Sequence, residues 1–366
     1  MACDASSTGK APALGSCRRL QVAKNFIDNI EAVWAYQPPE RGIRSATPGE
    51  IAGGLTADSY FVGTRQILDD LGLTEMVVTA EVFANRDGVL AGIDEAVSLL
   101  AGKGVEVEAA EDGRQVTAKT VVLRIRGPYR AFGLYETALL GMLASASGWA
   151  TAARVAVRSA GGVPVYSFGA RHVHPAVAPV LDRAALLGGC QGASSILGAR
   201  QAGQLPSGTM PHALLLMLGD TLKAASAYDR VMPKAAPRVV LVDTFHDEVE
   251  EALRVAGELG ERLQAVRLDT PKERGGVTVD LVRELRFRLD QAGHRHVGIF
   301  VSGGLTPERM AELGEAGATG FGVGSYIAAA PPLDMTMDLK EVDGRPVAKR
   351  GRLPGITPTA NLVRRI

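Results

Sequence analysis

The sequence has few cysteines, few aromatic residues and no excess of charge of either sign. Its three cysteines, Cys3, Cys17 and Cys190, lack the Cys-x-x-Cys spacing of a zinc or redox site and do not indicate a disulfide scaffold. Forty Lys and Arg residues balance forty Asp and Glu residues, and no charge block suits nucleic acid or an anionic membrane. No apolar run reaches the roughly 20 residues that span a bilayer. We therefore expect a cytoplasmic protein with neither nucleic-acid nor membrane partners.

Glycine is abundant where these other features are scarce. The chain has 43 glycines in 366 residues and only 5% aromatic residues. Such usage is typical of folds with many tight turns between strands and helices and with close approaches of backbone to ligand. The length also exceeds the roughly 100 to 200 residues of one ordinary domain, so we expect an α/β protein with about two domains.

The first part of the chain is predicted to hold a flexible tail and a domain of helices on an antiparallel sheet. Residues 1–19 are rich in Ala, Ser and Gly and have no apolar segment of a signal peptide. Residues 20–127 begin with helical spacing over 20–30, continue with a β-rich run over 76–84, and contain a hairpin signal at Glu111-Asp-Gly-Arg.

After Gly127 the sequence pattern changes to short apolar strands that alternate with helices, and residues 128–330 are predicted to form an α/β barrel. Four apolar runs end in small or acidic residues, at Asp243, Asp269, Ser302 and Gly324, with 22 to 33 residues between successive ends. Such gaps accommodate the crossover helix of a βαβ unit. Residues 331–366 carry a second hairpin signal, Val342-Asp-Gly-Arg, and because a lone hairpin is marginal in water we expect this segment to complete the N-terminal sheet.

Two aspartates follow directly after predicted barrel strands. Ligands of parallel βα folds bind beyond the carboxyl ends of the strands, where Asp243 and Asp269 are expected to converge. Two carboxylates there could hold Mg²⁺ or bind sugar hydroxyls. The alternative is that each aspartate only caps the helix that follows it.

The last two predicted strands end in loops of glycine and serine. Such loops often cradle a phosphate with backbone N–H groups, although they also make tight turns. The residues of the two loops are Ser302, Gly303 and Gly304, and Gly322, Gly324 and Ser325.

Histidine and arginine supply the remaining candidates. His212 lies in the first turn of a predicted helix, where the dipole disfavours imidazolium and favours a neutral nucleophile, although a polar surface residue would look the same. Arg171 follows another strand and suits a carboxylate or phosphate, or a structural ion pair. His172 and His174 would share one face of a strand, which leaves open a metal-dependent barrel hydrolase.

Seven short motifs, in their order along residues 56–352, resemble the type II phosphoribosyltransferases and among them the nicotinate phosphoribosyltransferases. Single motifs are weak, but seven in family order are specific. In chain order they are Glu136-Thr-Ala-Leu-Leu-Gly, Ser167-Phe-Gly-Ala-Arg, Gly208-Thr-Met-Pro-His, Leu241-Val-Asp-Thr-Phe, Val266-Arg-Leu-Asp, Ser302-Gly-Gly and Gly322-Val-Gly-Ser.

The resemblance implies an irregular, TIM-like α/β barrel and an N-terminal α/β sandwich completed by the C-terminal segment. It also implies a homodimer or higher homo-oligomer with shared active sites. The implied reaction joins nicotinate to phosphoribosyl pyrophosphate, with ATP as co-substrate. Nicotinamide and quinolinate remain open as alternative substrates. Archaeal relatives with a cysteine cluster differ from this chain, which has no cysteine after Cys190, so no zinc is expected.

The resemblance further implies a role for each matched residue. Phe168 and the partner subunit's Tyr60 would enclose the pyridine ring. Asp243 and Asp269 would engage Mg²⁺ and the ribose, and His212 would accept a phosphoryl group from ATP. Arg171, Arg267, Thr209 and Arg130, the last lent across the dimer, would bind substrate, while the two glycine loops would hold the 5′-phosphate.

Overall fold

A computed structural model describes residues 27–366, so the predicted tail and most of the predicted helix over 20–30 lie outside the described residues. Fourteen strands are present in this part of the chain. They are β1 (Val77–Ala84), β2 (Gly88–Val89), β3 (Glu106–Ala109), β4 (Gln115–Val116), β5 (Val121–Pro128), β6 (Val165–Ser167), β7 (Gly192–Ala193), β8 (Val239–Leu241), β9 (Ala265–Leu268), β10 (Gly298–Ser302), β11 (Gly320–Val323), β12 (Met335–Val342), β13 (Arg345–Pro346) and β14 (Val363–Arg364).

Helices alternate with these strands, and short 3-10 turns join several of them. The helices are α1 (Ile30–Ala35), α2 (Pro48–Ala52), α3 (Ser59–Asp70), α4 (Ile93–Leu100), α5 (Tyr129–Phe132), α6 (Glu136–Ser159), α7 (Ala178–Gly188), α8 (Ile196–Gln201), α9 (His212–Leu218), α10 (Thr221–Val231), α11 (Glu248–Leu259), α12 (Val279–Gln291), α13 (Pro307–Glu315) and α14 (Ser325–Ala328). None of the helices described is long and apolar enough to cross a membrane.

The N-terminal sheet is antiparallel, with strand order β13-β12-β1-β5-β3-β14. β12, from the end of the chain, pairs with β1 along its whole length, which confirms that the C-terminal segment completes this sheet. β1 is buried at seven of its eight positions, because the C-terminal segment also covers one side of the sheet. There the buried carboxylate of Glu81 binds Arg124 at 2.8 Å and accepts a hydrogen bond from the backbone N–H of Thr357 at 3.1 Å.

The two Asp-Gly hairpin signals have different outcomes. Asp343 and Gly344 have φ of +47° and +75° and join β12 to β13, as a tight hairpin requires. Asp112 and Gly113 also form a turn, with Arg114 N–H 3.4 Å from the carbonyl of Glu111 and a Gly113 φ of +85°, but this turn does not join β3 directly to β5, since Gly113 N–H also donates to the carbonyl of Leu90. The chain detours through β4, which pairs with β2, before β5 returns to pair with β3.

The parallel sheet has strand order β7-β6-β11-β10-β9-β8, and every pairing in it is parallel. Successive strands of the chain are neighbours and the last, β11, pairs with the first, β6, which is the connectivity of a barrel. The barrel is irregular because β7 and β8 do not pair. Residues 205–209 run along this seam, where Ser207 N–H donates to the carbonyl of Ala193 at 2.8 Å.

Helix α6 links the two hydrophobic cores. At 24 residues it is about 36 Å long. Leu139 and Leu143, in its first half, belong to the core of the N-terminal sheet, whereas Ala153 and Ala156, in its second half, belong to the barrel core. The small residues of the second half let helix α7 pack closely against it.

Candidate active site

Arg267 is the centre of a hydrogen-bond network at the carboxyl ends of the barrel strands. Its side chain is 14% exposed, since it projects from β9 toward the barrel interior. Its Nε donates to Ser302 Oγ at 2.9 Å, Nη1 to Thr209 Oγ1 at 2.7 Å, and Nη2 to Asp269 Oδ2 at 3.1 Å. One guanidinium therefore joins β9, the end of β10 and the seam segment.

Burial lowers the pKa of the Arg267 guanidinium from its ordinary value. The neighbouring carboxylates of Asp269 and Asp243 oppose this shift, while the positive charge of Arg171 adds to it. Arg171 lies on the 3-10 turn after β6 and is exposed. The site thus holds two nearby arginines, and an anionic ligand between them would relieve both the burial cost and the mutual repulsion.

Asp243 and Asp269 are brought together as their positions at two strand ends predicted. Asp243, whose side chain is fully buried, accepts a hydrogen bond at Oδ2 from the backbone N–H of Asp269 at 2.8 Å. Its Oδ1 lies 3.0 Å from Nε2 of His212. His212 is the first residue of α9, as expected, and its side chain is 39% exposed. A buried carboxylate therefore orients a solvent-accessible imidazole, an arrangement that fixes the tautomer of the ring.

Phe168 forms an aromatic wall beside this network. Its ring stacks on Phe300 with centroids 5.9 Å apart, and the Arg267 guanidinium lies 5.3 Å from its centroid. A cavity of about 410 Å³ extends from Phe168 and Thr209 along the barrel seam, with Tyr166 among its other lining residues. The wall is thus apolar on one side and cationic on the other, which suits a planar ring that carries an acid group.

The glycine loops lie where the phosphate site was predicted, but Gly322 and Gly324 have a packing role as well. A Cβ at Gly322 would lie 2.4 Å from Phe168 Cε2, and one at Gly324 would lie 2.8 Å from His172 Nε2. Gly303 and Gly304 have φ of +97° and +64°, which disfavours other residues. The phosphate-binding role of these loops stays a prediction, as does that of Ser325, which is exposed at the start of α14.

The hydroxyl of Ser302 is already engaged. It accepts from Arg267 and donates to Asp269 Oδ1 at 3.0 Å. Any phosphate contact from this loop would therefore come from its backbone.

Tyr60 and Arg130 lie on the N-terminal domain. The hydroxyl of Tyr60 donates to Asp58 Oδ2 at 3.1 Å, its ring contacts Phe61, and 63% of the residue is exposed. Arg130 pairs with Glu75 at 2.5 Å. Both side chains are thus held at the surface by local carboxylates, and their predicted role in a partner's site stays a prediction.

His172 and His174 do not form a metal centre with other side chains. In residues 27–366 no group of three or more His, Cys, Asp or Glu side chains lies close enough to hold a metal ion. His174 Nδ1 instead accepts from the backbone N–H of Ala176 at 3.2 Å. The geometry gives the hydrolase alternative no support.

The sequence reasoning missed two buried acids that support the strand ends. Asp182, in α7, accepts from Ser167 at the end of β6. Glu248, in α11, accepts from Thr270 Oγ1 at 3.0 Å, next to Asp269. The apolar spacing of these two helices does not indicate that either acid is buried. An acid on the buried face of a predicted helix is the signal that could have identified them.

Comparison with known proteins identifies the family of this arrangement. The model of the quinolinate phosphoribosyl transferase N-terminal domain matches residues 58–147, and that of the C-terminal domain matches residues 149–338. Nicotinate phosphoribosyltransferase pncB2 of Mycobacterium tuberculosis is 35% identical over 263 residues, and pncB1 of the same organism is 31% identical over 254. These matches cover 69% and 67% of this chain but 55% of each relative, so the chain spans about half the length of these relatives.

Solved structures show the same fold. A nicotinate-nucleotide pyrophosphorylase from Pyrococcus furiosus superposes with a TM-score of 0.83 and 46% identity, over 87% of this chain and 82% of that one. The human nicotinic acid phosphoribosyltransferase shares the fold with a TM-score of 0.64 and 19% identity, over 82% of this chain and 77% of that one. With both family domains matched in order over most of its length, this chain belongs to the quinolinate phosphoribosyl transferase family.

Proposed function

We propose that the protein is a phosphoribosyltransferase that joins nicotinate to phosphoribosyl pyrophosphate, giving nicotinate mononucleotide and pyrophosphate in the biosynthesis of NAD. The continuous hydrogen-bond network from Arg267 through Asp269 and Asp243 to His212, next to the Phe168 wall, is the observation that carries this proposal. In the reaction the pyridine nitrogen forms a bond to ribose C1 as the bond from C1 to the pyrophosphate oxygen breaks.

The pyridine ring would stack on Phe168 with its carboxylate toward Arg267 and Arg171. Arg267 donates one N–H from each of its three nitrogens to Ser302, Thr209 and Asp269, so one N–H on Nη1 and one on Nη2 are left for a ligand carboxylate. The names of the curated relatives support nicotinate, since both are nicotinate phosphoribosyltransferases. Nicotinamide lacks the charge that two arginines would recognise.

Asp243 and Asp269 fit a Mg²⁺ ion that is bound mostly by substrate. Two carboxylates supply fewer than the six oxygen ligands that Mg²⁺ requires, and their four oxygens already accept from His212, the Asp269 backbone, Ser302 and Arg267. Magnesium commonly binds one or two carboxylates together with substrate phosphates and water. When bound, it would neutralise charge on the departing pyrophosphate, while the two carboxylates stabilise positive charge that develops on the ribose.

His212 would couple ATP to the reaction. If ionised Asp243 accepts the Nε2 proton, Nδ1 keeps its lone pair. Nδ1 would form a bond to the γ-phosphorus of ATP as the bond to the bridging oxygen breaks, releasing ADP. Tyr60 and Arg130, exposed on the N-terminal domain, would complete the site of a partner subunit in a homodimer or higher homo-oligomer.

A substrate panel tests the proposal. The purified protein is incubated with phosphoribosyl pyrophosphate, Mg²⁺ and nicotinate, nicotinamide or quinolinate, with and without ATP, and nucleotide is measured by chromatography. We expect nicotinate to give the fastest reaction and ATP to increase it. Absence of nucleotide from all three pyridines would refute the proposal, and preference for quinolinate would change the substrate.

The His212→Ala variant tests the coupling separately. It should lose ATP hydrolysis and ATP stimulation but keep a slower ATP-independent reaction, because the groups around Arg267 are unchanged. The control is His296→Ala, since His296 lies before β10, at the opposite end of the barrel, where its Nε2 is 3.3 Å from the carbonyl of Gly260. Unchanged ATP hydrolysis in a folded His212→Ala protein would contradict the phosphohistidine.

A further inference from the structure

Asp182 is a buried acid that the proposed reaction does not use. It lies in α7 and is 0% exposed. Its Oδ1 accepts from Ser167 Oγ at 2.9 Å and its Oδ2 accepts from the backbone N–H of Ser195 at 3.0 Å. Burying a carboxylate is unfavourable unless hydrogen bonds compensate it, so an apolar residue would serve packing better at this position.

The two hydrogen bonds of Asp182 connect helix α7 to two other elements of the barrel. Ser167 is the last residue of β6, and Ser195 is the N-cap residue of α8. Helix α8 also packs closely on the acid, because a Cβ at Gly198 would lie 2.7 Å from Asp182 Cβ. Asp182 thereby links α7 to the end of one strand and to the helix that follows the next.

The strand end that Asp182 holds carries the aromatic wall. Phe168 directly follows Ser167, and its backbone N–H donates to the carbonyl of Val323 in β11 at 2.8 Å. On the other side, Ser194 N–H donates to the carbonyl of Ser167 at 3.1 Å. In addition to these backbone hydrogen bonds, the Ser167 side chain ties this strand end to Asp182 in α7.

We propose that Asp182 is a positioning residue for the pyridine substrate: by tying the end of β6 to the start of α8, it sets the place of the Phe168 ring and of the Arg171 turn. This inference rests on the proposed function, since it takes Phe168 as the surface on which the pyridine ring stacks. Asp182 does not itself reach the ligand, because it is fully buried behind Ser167.

The test separates the two substrates. For Asp182→Ala, both hydrogen bonds are lost, and we expect the KM for nicotinate to rise by about tenfold or more, as a displacement of about 1 Å at a substrate-positioning group can cause. The KM for phosphoribosyl pyrophosphate should change by a smaller factor, because its predicted contacts at Asp243, Asp269 and the Ser302 loop follow β8, β9 and β10, none of which pairs with β6. A purely structural role would lower stability without this split between the two KM values.

Conservative variants identify the cause. In Asp182→Asn the amide oxygen can accept from Ser195 N–H while the NH₂ group donates to Ser167 Oγ, so the KM for nicotinate should return to within about threefold of wild type. Ser167→Ala removes one hydrogen bond with little change of volume and should raise the same KM by a smaller factor. These two variants decide the question if Asp182→Ala does not fold.

Glu251→Gln is the control for loss of a buried carboxylate. The Glu251 side chain is also 0% exposed, but it lies on α11 and pairs with Arg254. The Glu251→Gln substitution should leave both KM values unchanged. If folded Asp182 and Ser167 variants change the two KM values equally, or change neither, this inference is overturned and the proposed function is not. Absence of product from the wild type with every pyridine would refute the proposed function and this inference with it.

Discussion

Replacing Gly322 with alanine tests whether the place of the Phe168 ring determines pyridine binding. The φ of Gly322 is not positive, so alanine causes no backbone strain there. Its Cβ would lie 2.4 Å and 2.6 Å from Cε2 and Cδ2 of Phe168, and 3.1 Å from Cε1 of Phe300. The direct steric effect of the substitution is therefore a collision with the Phe168 and Phe300 rings.

The distances determine the size of the effect. Carbon atoms in contact are separated by about 3.5 Å or more, so the Phe168 ring must move by about 1 Å. Overpacking of this kind costs about 1 to 3 kcal/mol of stability. A displacement of about 1 Å at a substrate-positioning group can cost up to about 100-fold, so we expect the KM for nicotinate to rise by about 10-fold to 100-fold.

The assay combines urea unfolding with initial rates for each substrate. The control is Gly257→Ala in α11, where a Cβ would meet no atom within 4 Å. It should stabilise the protein by about 0.5 to 1 kcal/mol and leave the kinetics unchanged. A folded Gly322→Ala protein with a KM for nicotinate within about twofold of wild type would show that Phe168 does not form the pyridine site.

Three further predictions concern other parts of the chain. Burial, together with the charge of Asp338, raises the pKa of Glu136 from about 4.5 to about 7. Between these two pH values the folded state keeps a proton that the unfolded state loses, so the free energy of unfolding falls as the pH rises from about 4.5 to about 7. Glu136→Gln should therefore raise the urea midpoint at pH 8 by the equivalent of about 1 to 2 kcal/mol, after solvent screening, and change it little at pH 4.5. Burial raises the pKa of the Cys190 thiol to about 12, so iodoacetamide should label Cys190 only after unfolding. Peptide mapping that shows the same labelling of Cys190 in the native and the unfolded protein would contradict its burial. Mixing inactive Tyr60→Ala and Asp269→Ala chains should restore part of the activity through hybrid dimers, whereas no recovery despite verified subunit exchange would argue against shared sites.

Local sequence signals determined where many elements begin and end. Thr306 followed by Pro307 is a local signal for a helix start, and α13 does begin at Pro307, with the Thr306 side chain accepting from Arg309 N–H. The dipeptide Asp343-Gly344 predicted a tight turn, because few other residues adopt two successive positive φ angles. The apolar runs that end at Asp243 and Asp269 identified parallel strands, and strand direction alone places both acids at one end of a barrel.

Tertiary structure decided what local signals could not. The Asp112-Gly113 turn forms, but it leads into β4 and not directly into β5, because Gly113 pairs with Leu90, 23 residues earlier in the chain, and β4 pairs with β2.

The same holds for the contacts of the candidate site. His212 and Asp243 are 31 residues apart, and Arg267 and Thr209 are 58 apart. Residue type alone does not predict these partners, since hydrogen bonds between side chains from different strands depend on the register and curvature of the sheet. The same is true of Asp182. The sequence shows only that it is an acid in a predicted helix, whereas the packing of α7 against β6 and α8 shows that it binds the end of β6 and the start of α8.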